Sequence, residues 1–176
     1  MACTMTSGYN DRTCTNGKGG IKSVLFFPVE NISSSTKTAN EITAITVTGE
    51  TFHYKLKSNL SSYTAPVKRS EENGTLWYEQ SLSMVLNSDN KELRSALHLL
   101  AQNELACMVE KADGTYVLLG EAEGLKVADA NEYTSGVAKS DRNGHLIVLN
   151  GMENDEIPDV DATEAATLIA QSSYAA

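Results

Sequence analysis

Residues 76–86 read LWYEQSLSMVL, and this stretch carries the clearest strand pattern in the chain. Every second residue from position 78 shares one face of the predicted strand: Tyr78, Gln80, Leu82, Met84 and Leu86. A period of two that places mostly apolar side chains on one face is typical of a strand with one buried side. The stretch therefore predicts a half-buried strand.

A helix pattern follows this strand directly. Asp89 offers an N-cap and Glu92 lies three residues later, which is a common start for a helix. The apolar residues that recur at helical spacing are Leu93, Ala96, Leu97, Leu100 and Ala101. We predict a helix over residues 90–103 whose leucines pack onto the apolar face of the preceding strand.

Further strand patterns lie on both sides of this unit. Gly49-Glu50 separates strand-like residues 42–48 from residues 51–57, which predicts a hairpin, and Asp113-Gly114 predicts another within residues 105–120. The remaining strand candidates are residues 21–29, 124–128 and 145–150. About eight strands and one internal helix predict a mainly β fold, an antiparallel β-sandwich or barrel with one flanking α-helix.

Composition and charge exclude several classes of protein. The chain has 14 Lys and Arg against 23 Asp and Glu, which gives a net charge of -9. Such a charge disfavours binding to the phosphate backbone of a nucleic acid. No apolar run approaches the roughly 18 residues of a membrane helix, and the first residues show no signal-peptide pattern. We expect a soluble protein made in the cytoplasm, without a membrane partner.

The residues that usually carry chemistry are scattered. Cys3, Cys14 and Cys107 are read as three reduced thiols, and the three histidines are widely spaced. The glycine-rich residues 17–20 precede a strand and lack the ending of a phosphate-binding loop. No triad or nucleophile elbow is visible. We therefore expect no enzyme, no catalytic residues, no metal and no cofactor.

The charge is also uneven along the chain. Residues 143–176 contain six acidic residues and no Lys or Arg. We divide the chain into an N-terminal extension at 1–18, a β domain at 19–152 and an acidic C-terminal extension at 153–176. Within the last segment, Asp161 followed by Glu164 gives a capped start for a short helix that would be marginal alone.

Two long polar stretches, residues 30–40 and 58–75, contain little material for a core. Such stretches on a small β body commonly become ordered against a neighbour. We therefore predict that they build subunit contacts. The candidate contact residues are Tyr63, Lys68, Arg69, Glu71 and Glu72.

Several motifs then occur in an order that is typical of one family. They are Cys14 with GGIK at 19–22, NGTLWYEQ at 73–80 before the helix, DGTYVLLG at 113–120 with Gly124-Leu125, and NGHLI at 143–147 before an acidic, proline-containing close. Over roughly residues 14–160 the chain resembles small virion structural proteins of tailed phages and prophages of Bacteroidetes, including crAss-like phages.

This resemblance implies a tail-tube-like fold that assembles into a homo-oligomeric ring of six or twelve copies. The ring would form part of a tail tube, or of a tail or collar ring, in the tail or neck of the virion. Its neighbours would be other tail, collar or portal proteins, and DNA would pass through the lumen without sequence-specific binding.

The negative charge suggests how such a lumen would let DNA slide. We expect surplus acids to face it, and the candidates are Glu153, Asp155, Glu156, Asp159, Asp161 and Glu164. The alternative is that these acids keep the outer surface soluble. Two other functions stay open: a monomeric β-barrel that binds a small apolar ligand, and an adhesion module, which would need an export signal.

Overall fold

The structure, a computed structural model, describes residues 18–57 and 59–174. Cys3, Cys14 and all but the last residue of the predicted extension 1–18 lie outside them. In chain order the strands are β1 Ile21–Pro28, β2 Ile32–Thr38, β3 Glu41–Val47, β4 Phe52–Lys55, β5 Ser62–Thr64, β6 Val67–Ser70, β7 Thr75–Leu86, β8 Leu105–Lys111, β9 Tyr116–Leu119, β10 Lys126–Val127, β11 Glu132–Thr134, β12 Gly144–Glu153, β13 Asp159–Val160 and β14 Ser173–Tyr174. The helices are α1, Lys91–Leu100, and α2, Ala162–Gln171.

The strands form two sheets. The larger has the order β14-β4-β1-β8-β9-β13-β3-β2, and the smaller has the order β10-β12-β7-β5, with β11 also on β12 and β6 also on β7. Most neighbours are antiparallel, whereas β13 runs parallel to β3 and β14 runs parallel to β4. The predicted mainly β sandwich with a flanking helix is confirmed, and a second helix, α2, accompanies it.

Strand β1 shows how the core is divided. Val24 and Phe26 belong to a cluster between the two sheets, whereas Leu25 and Phe27 belong to a second cluster beneath α2. Successive side chains of a strand point to opposite faces. A strand that is covered on both faces therefore reads as the unbroken apolar run VLFF, whereas β7, covered on one face, alternates.

The predicted pattern of β7 and α1 is largely confirmed. Leu82 and Met84 are fully buried in the cluster between the sheets, and Leu93 and Leu100 of α1 join it. Leu97 is half-buried against the same cluster. Tyr78, which was expected beneath the helix, is also only half-buried.

The helix begins one residue away from the predicted cap. Asn90, in an extended conformation, accepts the Leu93 backbone N–H at 2.7 Å through its side chain. Asp89 instead contacts the Arg94 guanidinium, with Nε at 2.7 Å from Oδ1. Asn and Asp are equally good caps, so the asparagine leaves the carboxylate of Asp89 for an ion pair.

The predicted hairpin between residues 42–48 and 51–57 is wrong in its pairing. In the structure β3 pairs with β2 and β13, while β4 pairs with β1 and β14. Gly49, at a φ of +93°, lies in the connection between β3 and β4, which are not neighbours in the larger sheet. Strand β2 occupies most of the polar stretch at residues 30–40. Turn-forming residues indicate where a chain bends, but they do not determine which strands pair on either side of the bend.

The body continues past the boundary predicted at residue 152. Strand β12 includes Glu153, and β13 lies between β9 and β3 in the larger sheet, with Val160 buried. Helix α2 then buries Ala165 and Leu168 against the same sheet. One valine in an acidic stretch is enough for this short strand, and packing stabilises a helix of ten residues that would be marginal alone.

Candidate functional site

The most exposed element of the body is the hairpin formed by β6 and the start of β7, residues 67–78. Its strands pair from Val67 opposite Tyr78 to Ser70 opposite Thr75. Strand β12 accompanies β7 only as far as Tyr78, where Glu153 is its partner. Beyond that point β7 pairs with β6 alone among the described strands. The hairpin therefore extends past the end of the smaller sheet.

Local chemistry accounts for the turn of this hairpin. Residues 71–74 form the turn, and Gly74 has a φ of +64°, a conformation that glycine adopts without steric cost. The Ser70 hydroxyl accepts the Asn73 backbone N–H at 3.4 Å. Every residue from 66 to 76 except Ser70 is exposed. The hairpin is held by its own ladder and turn rather than by the core.

Four of the five predicted contact residues lie on this hairpin. Lys68 and Arg69 are on β6, and Glu71 and Glu72 are in the turn. Lys68 pairs with Glu79 through a 3.6 Å contact between Nζ and Oε2. Both side chains are well exposed, so this ion pair contributes little to stability. The structure brings these charges together at one end of the molecule.

The fifth predicted residue, Tyr63, lies elsewhere. It is opposite Leu82 in the pairing of β5 with β7, and it packs against the cluster between the sheets. Burial raises the pKa of its hydroxyl group. Residues opposite each other in a sheet share a face, and the face of Leu82 points inward. Tyr63 is therefore a half-buried structural residue rather than part of the exposed hairpin.

Two apolar residues on the hairpin were missed from the sequence. Val67 is 55% exposed and Leu76 is 53% exposed. Leu76 has the same parity along β7 as Leu82, so both belong to the inward face of the smaller sheet. Counting back from Leu82 in steps of two would have found it. The inward face thus continues onto the hairpin, where the larger sheet no longer covers it.

The other predicted contact stretch, residues 30–40, is mostly strand β2, which lies at the edge of the larger sheet. Its seven residues are almost all exposed. The Ser35 hydroxyl donates to Glu121 at 2.7 Å, and Lys37 Nζ lies 2.6 Å from the same carboxylate. One face of β2 is therefore tied to its own chain. Its outer edge has no strand partner within the described residues.

Glu153, one of the predicted lumen acids, is buried within the subunit. It is 5% exposed, and its Oε1 accepts three backbone N–H groups, from Ala122 at 3.1 Å, Glu123 at 2.9 Å and Gly124 at 3.3 Å. A carboxylate held by several amides is a strong, charge-assisted arrangement. Glu153 therefore fixes the loop after β9 against the end of β12.

The other five predicted lumen acids have mixed environments. Asp161 caps α2 by accepting the Thr163 backbone N–H at 2.8 Å, and this hydrogen bond lowers the pKa of its carboxyl. Glu164 is half-buried, with Oε2 at 3.5 Å from the Ile45 nitrogen. Asp159 Oδ1 lies 3.6 Å from Lys111 Nζ. Asp155 and Glu156 are exposed. These acids do not form a single charged surface.

A separate cluster of titratable residues surrounds Asp89. Tyr133 donates its hydroxyl to Oδ2 at 3.0 Å, and His145 Nε2 lies 3.6 Å from Oδ1. Desolvation opposes ionisation of Asp89, but the hydrogen bond from Tyr133 and the charge of Arg94 outweigh it and lower the pKa of the carboxyl. The cluster joins the start of α1 to β11 and β12, which is a structural task.

Several concave regions lie outside the packed interior, and two of them contrast in their lining. A groove of about 620 Å³ runs over the outward face of the smaller sheet and is lined mainly by polar residues such as Ser81, Lys126 and Asn150. A smaller cleft of about 120 Å³, which we call the α1 cleft, separates α1 from the larger sheet. Its lining is apolar apart from one asparagine, and its main residues are Phe26, Phe52, Ala96, Leu99 and Leu105.

Comparison with known proteins adds no relative. No family model, curated protein or solved structure matches the chain. In the part of the chain that the structure describes, both helices are too short to cross a membrane, and no group of three or more His, Cys, Asp or Glu is placed to hold a metal ion.

Proposed function

We propose that this protein is a structural subunit of a phage virion, which assembles into a ring that forms part of the tail tube or of a tail or collar conduit for DNA. The resemblance of its motifs to small virion proteins of tailed phages suggests the setting. The observation that carries the proposal is the exposed hairpin, because it offers a contact arm that the protein's own core does not use.

An uncovered two-stranded hairpin is marginally stable in water. Here it also exposes half of the side chains of Val67 and Leu76. Burying apolar surface contributes about 25 cal/mol per Å², so a neighbouring subunit that covers this face would stabilise both the hairpin and the assembly. Such an arm would supply one of the two complementary surfaces through which the subunits of a ring contact each other.

The test is the mass and shape of the purified full-length chain, by native mass spectrometry and negative-stain electron microscopy. We expect rings of about six or twelve copies of the 19.0 kDa chain. Leu76→Asp should abolish them while the circular dichroism spectrum stays unchanged. Val137→Asp is the matched control, because Val137 is fully exposed in a loop away from the hairpin. A chain that remains monomeric at every concentration would contradict the proposal.

The conduit part of the proposal rests on charge. A net charge of -9 per subunit, repeated around a ring, disfavours retention of a polyanion. We expect no measurable binding to duplex DNA at about 0.15 M salt, measured by fluorescence anisotropy with a labelled duplex. Tight, salt-sensitive binding would show that the lumen holds DNA instead of letting it pass.

For a small apolar ligand the α1 cleft is the more suitable of the two described concavities, because the groove of about 620 Å³ has a mainly polar lining. That cleft is about 120 Å³, well below the roughly 300–1,000 Å³ of most small-molecule pockets. The space between the sheets is filled by core side chains such as Phe26, Leu82 and Met84. The mass measurement separates the two functions, since a ligand-binding barrel would stay monomeric.

A further inference from the structure

The hairpin presents a specific chemical pattern on its inward face. Arg69 lies directly opposite Leu76 in the pairing of β6 with β7, so the two side chains share that face. Leu76 is half exposed, and Arg69 is exposed and forms no ion pair among the described residues. The arm therefore carries an aliphatic side chain with a free guanidinium beside it.

The α1 cleft presents the complementary pattern. Ala96 and Leu99 line it from the helix, and Phe52 lines it from β4. Leu99 is 58% exposed and Phe52 is 39% exposed, so the rim of the cleft is apolar and open to solvent. An apolar cavity of about 150 Å³ holds a benzene-sized molecule. A cleft of about 120 Å³ therefore suits a single aliphatic side chain.

A carboxylate lies on the same helix face as this cleft. Glu92 precedes Ala96 by four residues and Leu99 by seven, so all three lie along one stripe of α1. Glu92 is exposed and forms no ion pair within the part of the chain that the structure describes. Seven helical residues span about 10 Å, which an extended arginine side chain can largely cover.

Within one copy the arm does not occupy the cleft: none of residues 67–78 lines it, and Leu76 is half exposed. The hairpin begins beside β9, where the Gln80 side chain accepts the Gly120 backbone N–H at 2.8 Å. The cleft lies at β1 and β4, on the other side of β8 in the larger sheet. A contact between these two surfaces must therefore join two copies head to tail, which closes a ring when the rotation allows it.

We propose that the β6–β7 hairpin of one subunit docks into the α1 cleft of the next, with Leu76 filling the cleft and Arg69 pairing with Glu92. The occupant is a second copy of this chain, because the chain itself carries the matching apolar side chain and the matching charge. This inference rests on the proposed ring function and names the contact that builds the ring.

Charge exchange tests this contact. Arg69→Glu alone and Glu92→Arg alone each place like charges together, and each should raise the concentration needed for half-assembly at least about tenfold. Lys91→Glu, with the same change in charge as Arg69→Glu on a different face of α1, should leave assembly unchanged. Circular dichroism verifies that every variant is folded.

Mixing the two single variants gives the sharper result. The glutamate at 69 of one variant then meets the arginine at 92 of the other, while the reverse contact keeps the original pair. At a concentration where neither variant forms rings alone, we expect the mixture to form rings of even copy number with a strict 1:1 composition by native mass spectrometry.

The outcomes distinguish the contact from the function. If the unaltered chain forms rings and the charge variants assemble as it does, the proposed contact is wrong while the ring function stands. If the single variants fail and mixing does not restore rings, the pairing of Arg69 with Glu92 is also wrong. If the unaltered chain never assembles, the proposed function itself fails.

Discussion

The two halves of β7 follow one alternating pattern, but they have different surroundings. In the half that ends at Leu86, Leu82 and Met84 point inward and are fully buried between the sheets. In the half that begins at Thr75, Leu76 points to the same side and is half exposed. The boundary is Tyr78, where β12 ends. We call these the covered half and the open half of β7.

The same alternation of side chains along β7 therefore has a different result in each half. The covered half stabilises the subunit, because its side chains are buried within one chain. The open half contributes little to the subunit and is free to contact a neighbour. Alternation alone therefore predicts which side chains share a face, while the extent of the opposing sheet decides which of them form the core.

The largest expected effect contrasts Leu82 with Leu76. Leu82→Ala should lower the free energy of unfolding by about 2–5 kcal/mol, because it leaves a cavity in a packed core. Leu76→Ala should change it by less than about 0.5 kcal/mol, as exposed substitutions do. Urea unfolding under conditions where the chain is monomeric measures both. Equal losses would show that the open half is part of the core.

The next effect concerns Glu153, which lies opposite Tyr78 at the boundary between the halves. Glu153→Ala should cost about 2 kcal/mol, because three backbone N–H groups lose a charged acceptor. Glu153→Gln keeps an oxygen there and should cost less. Glu156→Ala, at an exposed acid nearby in sequence, is the control and should have almost no effect. An equally stable Glu153→Ala protein would mean that water replaces the carboxylate fully.

A smaller effect is expected from the helix that flanks the covered half. Leu97 is half-buried, whereas Leu93 and Leu100 are buried. Leu97→Ala should therefore cost about 1–2 kcal/mol, below the range of about 2–5 kcal/mol for a fully buried leucine. Leu100→Ala provides the comparison in the same unfolding assay. A larger loss at Leu97 than at Leu100 would contradict the observed orientation of α1.

The smallest effect is a pH dependence beside the covered half, where His53 lies near Val85 and Leu86. Burial and then the charge of Lys55 lower the pKa of His53, while Glu110 acts in the opposite direction. The unfolded chain therefore binds more protons than the folded one below about pH 6.5. Stability should fall as the pH drops through that region, and His53→Gln should flatten the slope.

Local patterns predicted much of the fold. The alternation in β7 and the leucine spacing of α1 appeared as predicted, since each depends on neighbours within a few residues. The partners of β3 and β4 could not be predicted in this way, because pairing is decided by distant strands. Strand β13 was missed for a related reason: Val160 is buried only because β9 and β3 leave room between them for a short strand.

The candidate site was predicted in part. Polarity and charge led to residues 68–72, which lie on the hairpin, but Tyr63 turned inward with Leu82. The alternation in β7 places Leu76 on the inward face, but nothing in the sequence shows that the opposing sheet ends before it and leaves it exposed. The acids at 153–164 looked alike in sequence, yet one is buried, one caps a helix and others are exposed. Their environments depend on loops that only the folded chain brings together.

The position of β13 has a consequence for biosynthesis. Strands β2 and β3 join the rest of the larger sheet through β13 alone among the described strands, and α2 also contacts β3. The ribosome makes β13 about 110 residues after β3, and at about 5–20 residues per second this delay lasts several seconds. During that time the nascent β2–β3 hairpin has an unpaired edge and an uncovered Ile42. A chaperone that binds this edge would protect the chain from premature pairing with another copy until the last strands emerge.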